Sequence, residues 1–276
     1  MSIKPTPLRR QDAAGVSDIA GAKTLTWDDA DKYFGRRAYG IHEMNADYMT
    51  RAVTGGVVGK CKVTGSPITS SATGVTLIDA DPTFNGHKSL YFDGSVGAGV
   101  QYEKKDVVSS FARIVVLSLD AEMYAPTLTG LRNTVAVYGS QSDAYNHRLS
   151  TRNVSGQTKQ QFAIGSSSNN TNLGQLLPAA GTPHVQVIAF DAVSRKSRIC
   201  INDPKVYSEF THTALTVGTD DAWVIGGGPN DNASTVFKGR MTDDIIIDVP
   251  LNRTSELWGY VVEHVAFLRT RYGITL

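Results

Sequence analysis

Cysteine, charge and long apolar runs are all scarce in this chain, and each scarcity removes a class of protein. Only two cysteines occur in 276 residues, Cys61 and Cys200, with no C-x-x-C spacing, so neither a disulfide framework nor a thiolate metal site is expected. No apolar run approaches the roughly 18 residues of a membrane-spanning helix. The first ten residues, MSIKPTPLRR, have no apolar stretch behind their charges, so no secretory signal is read and both thiols are expected to stay reduced. Charged residues make up 19% of the chain, below the usual value of about 25%. Lys and Arg (27) almost balance Asp and Glu (26), so no basic field collects phosphates or anionic lipid. Neither nucleic acid nor a membrane is therefore expected as a partner.

What is present is glycine, 26 residues of it, punctuating short runs rich in Val, Ile, Tyr and Phe. Eleven such runs follow one another: GVTLIDA, SLYFDG, GVQYE, ARIVVLSLDAEMY, TVAVYGS, HRLSTRN, QQFAIGS, HVQVIAFDA, SRICIND, AWVIGG and DDIIIDV. With no helices between them they predict an antiparallel two-sheet sandwich rather than a doubly wound parallel sheet. In HVQVIAFDA, Val185, Val187 and Ala189 share one face and Gln186, Ile188 and Phe190 the other, which predicts a strand covered on both sides.

The two ends of the chain differ from this pattern. Residues 1–52 carry no sustained period and are expected to form an N-terminal arm and attachment segment, with a short helix over Thr26–Gly35; residues 53–276 form the sandwich. Near the C-terminus, Leu257, Trp258, Val261, Val262, Val265 and Leu268 recur at helical spacing, so a helix is expected over about 254–271, capped by Thr254 or Ser255 and closed near Gly273. Trp258 and His264 are read as packing residues of that helix.

Motifs that would carry chemistry fail on spacing. GGVVGKC at 55–61 lacks the four residues a phosphate loop needs between its first Gly and its Gly-Lys, and Cys61 stands where a hydroxyl belongs. Six histidines (His42, His87, His147, His184, His212, His264) show no H-x-H or H-E-x-x-H pattern, so zinc has no spacing argument. Asp244 and Asp248 share a face if DDIIIDV is a regular strand, but at about 13 Å they are too far apart for sugar hydrolysis, and both read as strand-end acids at turns. No cofactor is expected. Calcium stays open at two loops rich in oxygen donors, one with Asp79, Asp81 and Asn85, the other with Asn230, Asp231 and Asn232.

Read in order, residues from about 75 to 276 resemble the laminin-G-like, concanavalin A-like lectin/glucanase superfamily. SLYFDGSVGAGVQYE is similar to an early strand pair of that family, and TPHVQVIAFDAVSRKSRICINDPKV to its later hairpin. AWVIGGGPNDNASTVFKGRMTDDIIIDVPLNRTSELW carries the most specific match, with Gly239, Met241, Asp243, Asp244 and Ile246 in order after an I-G-G turn. The resemblance implies an all-β jelly-roll sandwich. The acid constellation E-x-D-x-(x)-E of the glucanase branch is absent, so the chain is expected not to be an enzyme.

The fold hosts many functions. The combination of no signal peptide with a basic arm suggests a bacteriophage virion protein, in head decoration or tail attachment, made in the host cytoplasm and docked on other virion proteins through Lys4, Pro5, Pro7, Arg9 and Arg10. The alternative is a glycan-binding lectin module, with Tyr138, Asp143, Tyr145, Asn230, Asp231 and Asn232 as candidate contacts; a host-surface glycan and a second copy of the chain in a homo-oligomer are the further partners considered. A glycoside hydrolase or lyase is the third reading.

Overall fold

A computed structural model of the chain describes residues 40–102, 110–124, 131–138, 144–166, 171–212, 222–226, 236–249 and 251–276. The expected arm residues Lys4, Pro5, Pro7, Arg9 and Arg10 and the expected helix over 26–35 lie outside them. Among the described residues, seventeen strands build two antiparallel sheets. The first sheet has eight strands, in the order β15 (Ser208–Thr211), β14 (Lys196–Ile201), β13 (His184–Asp191), β8 (Phe111–Leu119), β17 (Lys238–Asp248), β6 (Ser89–Asp93) and β5 (Val75–Ile78), with β1 (Gly40–Asn45) also on β17. The second has nine: β12 (Thr171–Leu176), β11 (Gln157–Ser166), β10 (Ala144–Val154), β9 (Leu131–Tyr138), β16 (Ala222–Gly226), β7 (Gly99–Tyr102), β4 (Pro67–Ser70), β3 (Val57–Lys60) and β2 (Thr50–Arg51). Together they form the jelly-roll sandwich that the strand pattern predicts.

The sandwich starts earlier than residue 53. β1 pairs Glu43 with Ile245 and Met44 with Asp244, and Met44, Ala46 and Met49 are buried in the core between the sheets. Residues 40–52 are thus part of the body. β17 changes partner along its length, from β6 at Lys238–Met241 to β1 at Asp243–Ile247. A register shift between Met241 and Asp243 marks the change. Just before it, a Cβ on Gly239 would stand 2.3 Å from the Ser118 carbonyl oxygen, so only glycine lets β17 approach β8 there.

The eight-stranded sheet is covered on both faces. All nine residues of β8 are buried. Val115, Leu117, Ile188, Phe190 and Ile246 face the second sheet, while Ala112, Ile114, Val116, Val185, Val187, Ala189, Ile245 and Ile247 face a C-terminal helix. The two-sided burial expected for HVQVIAFDA follows from this layering. The helix, α1 (Leu257–Tyr272), lays Leu257, Val261, Val265, Leu268 and Tyr272 on the sheet, and Gly273 closes it in the left-handed region with its N–H donating to the Arg269 carbonyl. Its start departs from expectation. A 3-10 turn over Leu251–Glu256 precedes it, Glu256 occupies the cap position without a side-chain hydrogen bond, and neither Thr254 nor Ser255 caps. No helix among the described residues is long and apolar enough to cross a membrane.

Of the two acids expected at strand ends, Asp248 closes β17, but Asp244 behaves otherwise. Asp244 lies within β17, fully buried, and accepts from Arg113 Nε at 2.7 Å and Nη2 at 2.5 Å. Its neighbour Asp243 points toward the helix, where it accepts from Asn45 Nδ2 at 2.7 Å and from the Tyr272 hydroxyl. Both cysteines are free and buried, and burial pushes the Cys200 thiol up to about 12. His264 is buried on α1 with Nδ1 donating to the Tyr260 carbonyl at 2.9 Å, a packing role as expected.

Candidate functional site

Strand alternation places Lys196, Arg198 and Cys200 on the outer face of β14, the face that α1 covers. The fully buried part of that face ends at Cys200. Beyond it, toward the β13–β14 hairpin, Lys196 and Arg198 are left 46% and 37% exposed. β15 pairs with β14 so that Arg198 stands opposite Glu209. That register delivers Glu209 between two cations: Oε1 accepts from Lys196 Nζ at 2.6 Å and Oε2 from Arg198 Nε at 2.8 Å. Lys196 first, and Arg198 with it, holds the Glu209 carboxyl below the usual carboxylate range.

The start of α1 supplies the opposite wall. Leu257 turns into the core, whereas Trp258, its neighbour in the helix, stays partly exposed at the sheet edge. Its ring lies 5.3 Å from that of Tyr207 at an interplanar angle of 66°. The Arg198 guanidinium carbon sits 4.8 Å from the Tyr207 ring centre and 5.5 Å from that of Trp258. Between these walls opens a cleft of about 290 Å³, floored by Ala189, Phe190 and Leu257, and rimmed by Asp191, Ser194, Thr254 and Ser255. Asp191 is committed to its own turn, accepting from the Val193 N–H at 2.8 Å and the Ser194 hydroxyl at 2.7 Å. The apolar surface continues outward through Val206, Tyr207 and Val262, which are 61%, 41% and 38% exposed. A ring ligand in the cleft can rest against Trp258 while its polar groups meet Lys196, Arg198, Glu209 and the rim hydroxyls.

Trp258 packs against the helix-facing core, as expected, and also lines the cleft. Two of the residues expected to contact glycan fall on described strands. Tyr138 and Tyr145 are register partners across β9 and β10 in the nine-stranded sheet. Asp143, Asn230, Asp231 and Asn232 lie outside the described residues. The donors considered for calcium at Asp79, Asp81 and Asn85 have protein partners: Asp79 pairs with Arg51 at 2.7 Å, Asp81 accepts from the Thr83 N–H and the Ser89 hydroxyl, and Asn85 donates to the Arg271 carbonyl. Among the described residues no group of three or more His, Cys, Asp or Glu is placed to hold a metal.

A scan against protein-family models finds no match, and neither does a search of curated proteins. Solved structures do match. A Trypanosoma rangeli sialidase in complex with sialic acid aligns with a TM-score of 0.54 and 14% identity over 87% of this chain and 34% of that one. Domain 4 of a GH43 extracellular arabinanase from Geobacillus stearothermophilus, in complex with arabinotriose, aligns with a TM-score of 0.53 and 13% identity over 80% of this chain and 98% of that one. The binding domain of botulinum neurotoxin serotype D aligns with a TM-score of 0.52 and 8% identity over 80% and 52%. What they share with this chain is the fold. This chain spans about a third of the length of the sialidase it matches.

The fold is thus a concanavalin A-like β-sandwich, as the motif order implies. The expectation of a phage-particle protein is corrected by the same structures. A sialidase, an arabinanase domain and a neurotoxin binding domain give no support to a virion role, and they fit the glycan-binding alternative better. A charge excess confined to ten residues is too general a basis for it, since it names no partner.

Proposed function

We propose that this chain is a non-catalytic glycan-binding module that holds a sugar ring in the cleft between the β14–β15 edge and the start of α1. The observation that carries this reading is the partly exposed Trp258 in the cleft wall, beside the planar and hydroxyl-bearing groups Arg198, Glu209, Ser194, Thr254 and Ser255. Sugar rings present one apolar face and an equatorial belt of hydroxyls, and such a wall matches both. The arabinanase domain, matched over 98% of its length, was solved with arabinotriose, so a frame of this kind holds a sugar elsewhere.

Binding is favoured over catalysis by the state of the carboxylates in the cleft. Glycoside hydrolysis generally needs one carboxyl kept protonated by a raised pKa beside an ionised partner. Glu209 is pulled in the opposite direction by its two cations, and both Asp191 oxygens accept hydrogen bonds from the hairpin turn. Neither is set up as a general acid.

Calorimetric titration with a panel of defined oligosaccharides tests the proposal. At least one is expected to bind, and Trp258→Ala is expected to cost about 2 kcal/mol, roughly 30-fold in affinity, as a central aromatic contact does. A panel with no binder, or a Trp258→Ala protein that binds as well as the wild type, overturns it.

A further inference from the structure

Arg198 is held in a geometry that its known partners do not exhaust. Its bond to Glu209 uses Nε. Its flat guanidinium is positioned by the Tyr207 and Trp258 rings, so the fork formed by the two terminal nitrogens has a fixed plane. Among the described residues those two nitrogens make no hydrogen bond. A fork of this kind matches the two oxygens of a carboxylate, giving two parallel charge-assisted hydrogen bonds where a neutral hydroxyl gives one.

The charges around it point the same way. Lys196 and Arg198 share the single carboxylate of Glu209, and the other acid of the cleft, Asp191, is turned into its own hairpin. Lys196 Nζ has three donors and uses one on Glu209. The cation side of the cleft thus has donor capacity left over after its internal pairing. The carboxylates have correspondingly less acceptor capacity to offer.

We infer that the cleft is selective for an acidic sugar, a ring bearing a carboxylate that engages the terminal nitrogens of Arg198 and the ammonium of Lys196 while the ring rests against Trp258. This rests on the glycan-binding reading and narrows it to a ligand class. Uronates and sialates both carry such a group, and the probes below separate them.

The test compares acidic probes with their neutral counterparts on the full chain: oligogalacturonate against its methyl ester, and sialyllactose against lactose. The acidic member of at least one pair is expected to bind about tenfold tighter, and the pair that shows it identifies the carrier of the carboxylate. The advantage should shrink as ionic strength rises. Arg198→Lys, which keeps the charge and loses the fork, is expected to reduce the acid-over-neutral ratio, and Lys196→Gln to reduce it as well. Equal affinity for acidic and neutral members overturns this inference and leaves glycan binding standing. Failure of every probe, acidic and neutral, overturns both.

Discussion

Two clusters of cations and carboxylates sit on strands of the same sheet and differ in almost everything except their chemistry. Arg113 and Asp244, on β8 and β17, are fully buried between the two sheets and bind each other through two hydrogen bonds. Lys196, Arg198 and Glu209, on β14 and β15, are 46%, 37% and 28% exposed and lie at the sheet edge. In the interior water does not compete for either charge, so the pair is fixed by the cost of separating it. At the edge water already competes for each group, so the same bonds can be exchanged for those of a ligand at little cost. Position in the layers, rather than residue type, makes the first pair structural and the second cluster available.

The comparison breaks most visibly if the inner pair is cut. Asp244→Asn removes the carboxylate that the buried Arg113 guanidinium binds through two hydrogen bonds and is expected to cost about 3–5 kcal/mol in unfolding free energy, measured by urea denaturation. Replacing both partners together with apolar residues is expected to recover much of that loss, since the desolvation cost disappears along with the attraction. A single substitution that costs less than about 1 kcal/mol would show that the interior pair is as dispensable as a surface one.

His184 extends the comparison to a buried group that avoids charge altogether. Its Nδ1 donates to the Thr182 carbonyl at 2.9 Å, and its Nε2 accepts from Gln186 at 3.0 Å, so both ring nitrogens are used in the neutral form. Burial lowers its pKa from 6.5 to about 4, with the Thr182 carbonyl opposing only in part. The unfolded chain therefore takes up a proton near pH 6.5 while the folded chain waits until about 4. Stability present above pH 6.5 is lost as the pH falls between those values, by about 3 kcal/mol at the lower end. Urea midpoints measured from pH 7 to 4 should show the loss. His184→Gln should flatten that part of the profile, and an unchanged slope in the variant would place the acid sensitivity elsewhere.

How much of this was legible in the chain depends on whether a residue's role is set locally. All eleven apolar runs fall on strands, because each carries its own burial pattern. The six strands that were not read, β1 to β4, β12 and β15, are short or polar, as in GIHEMN, TNLGQL and SEFT, and owe their conformation to the strand beside them. Gly239 was legible as part of a motif, though its reason, the Ser118 carbonyl against it, is visible only in three dimensions. The cleft was half legible. Alternation on β14 places Lys196 and Arg198 on one face, but nothing local sets Glu209 opposite Arg198. Trp258 falls within the apolar stripe of α1, and whether it meets the sheet or its edge depends on where β14 ends beneath it. The cleft is made where layers end, and that boundary has no sequence signature.

The smallest expected effect is also the one that separates the two clusters most sharply. Glu209→Gln removes the carboxylate shared by Lys196 and Arg198, and because all three groups are solvated the unfolding free energy should change by no more than about 1 kcal/mol. If the edge cluster exists to meet a ligand carboxylate, Glu209 competes with that ligand for the same two cations. The variant should then bind an acidic oligosaccharide at least as tightly as the wild type, while stability stays nearly level. If Glu209 is instead needed to hold Arg198 between the rings, affinity falls together with the order of the guanidinium. Titration of the variant with the acidic and neutral probes distinguishes the two, since loss of orientation weakens the acid preference and loss of competition strengthens it. A drop in stability comparable to that of Asp244→Asn would mean that the edge cluster is as structural as the interior pair, and the contrast between them would fail.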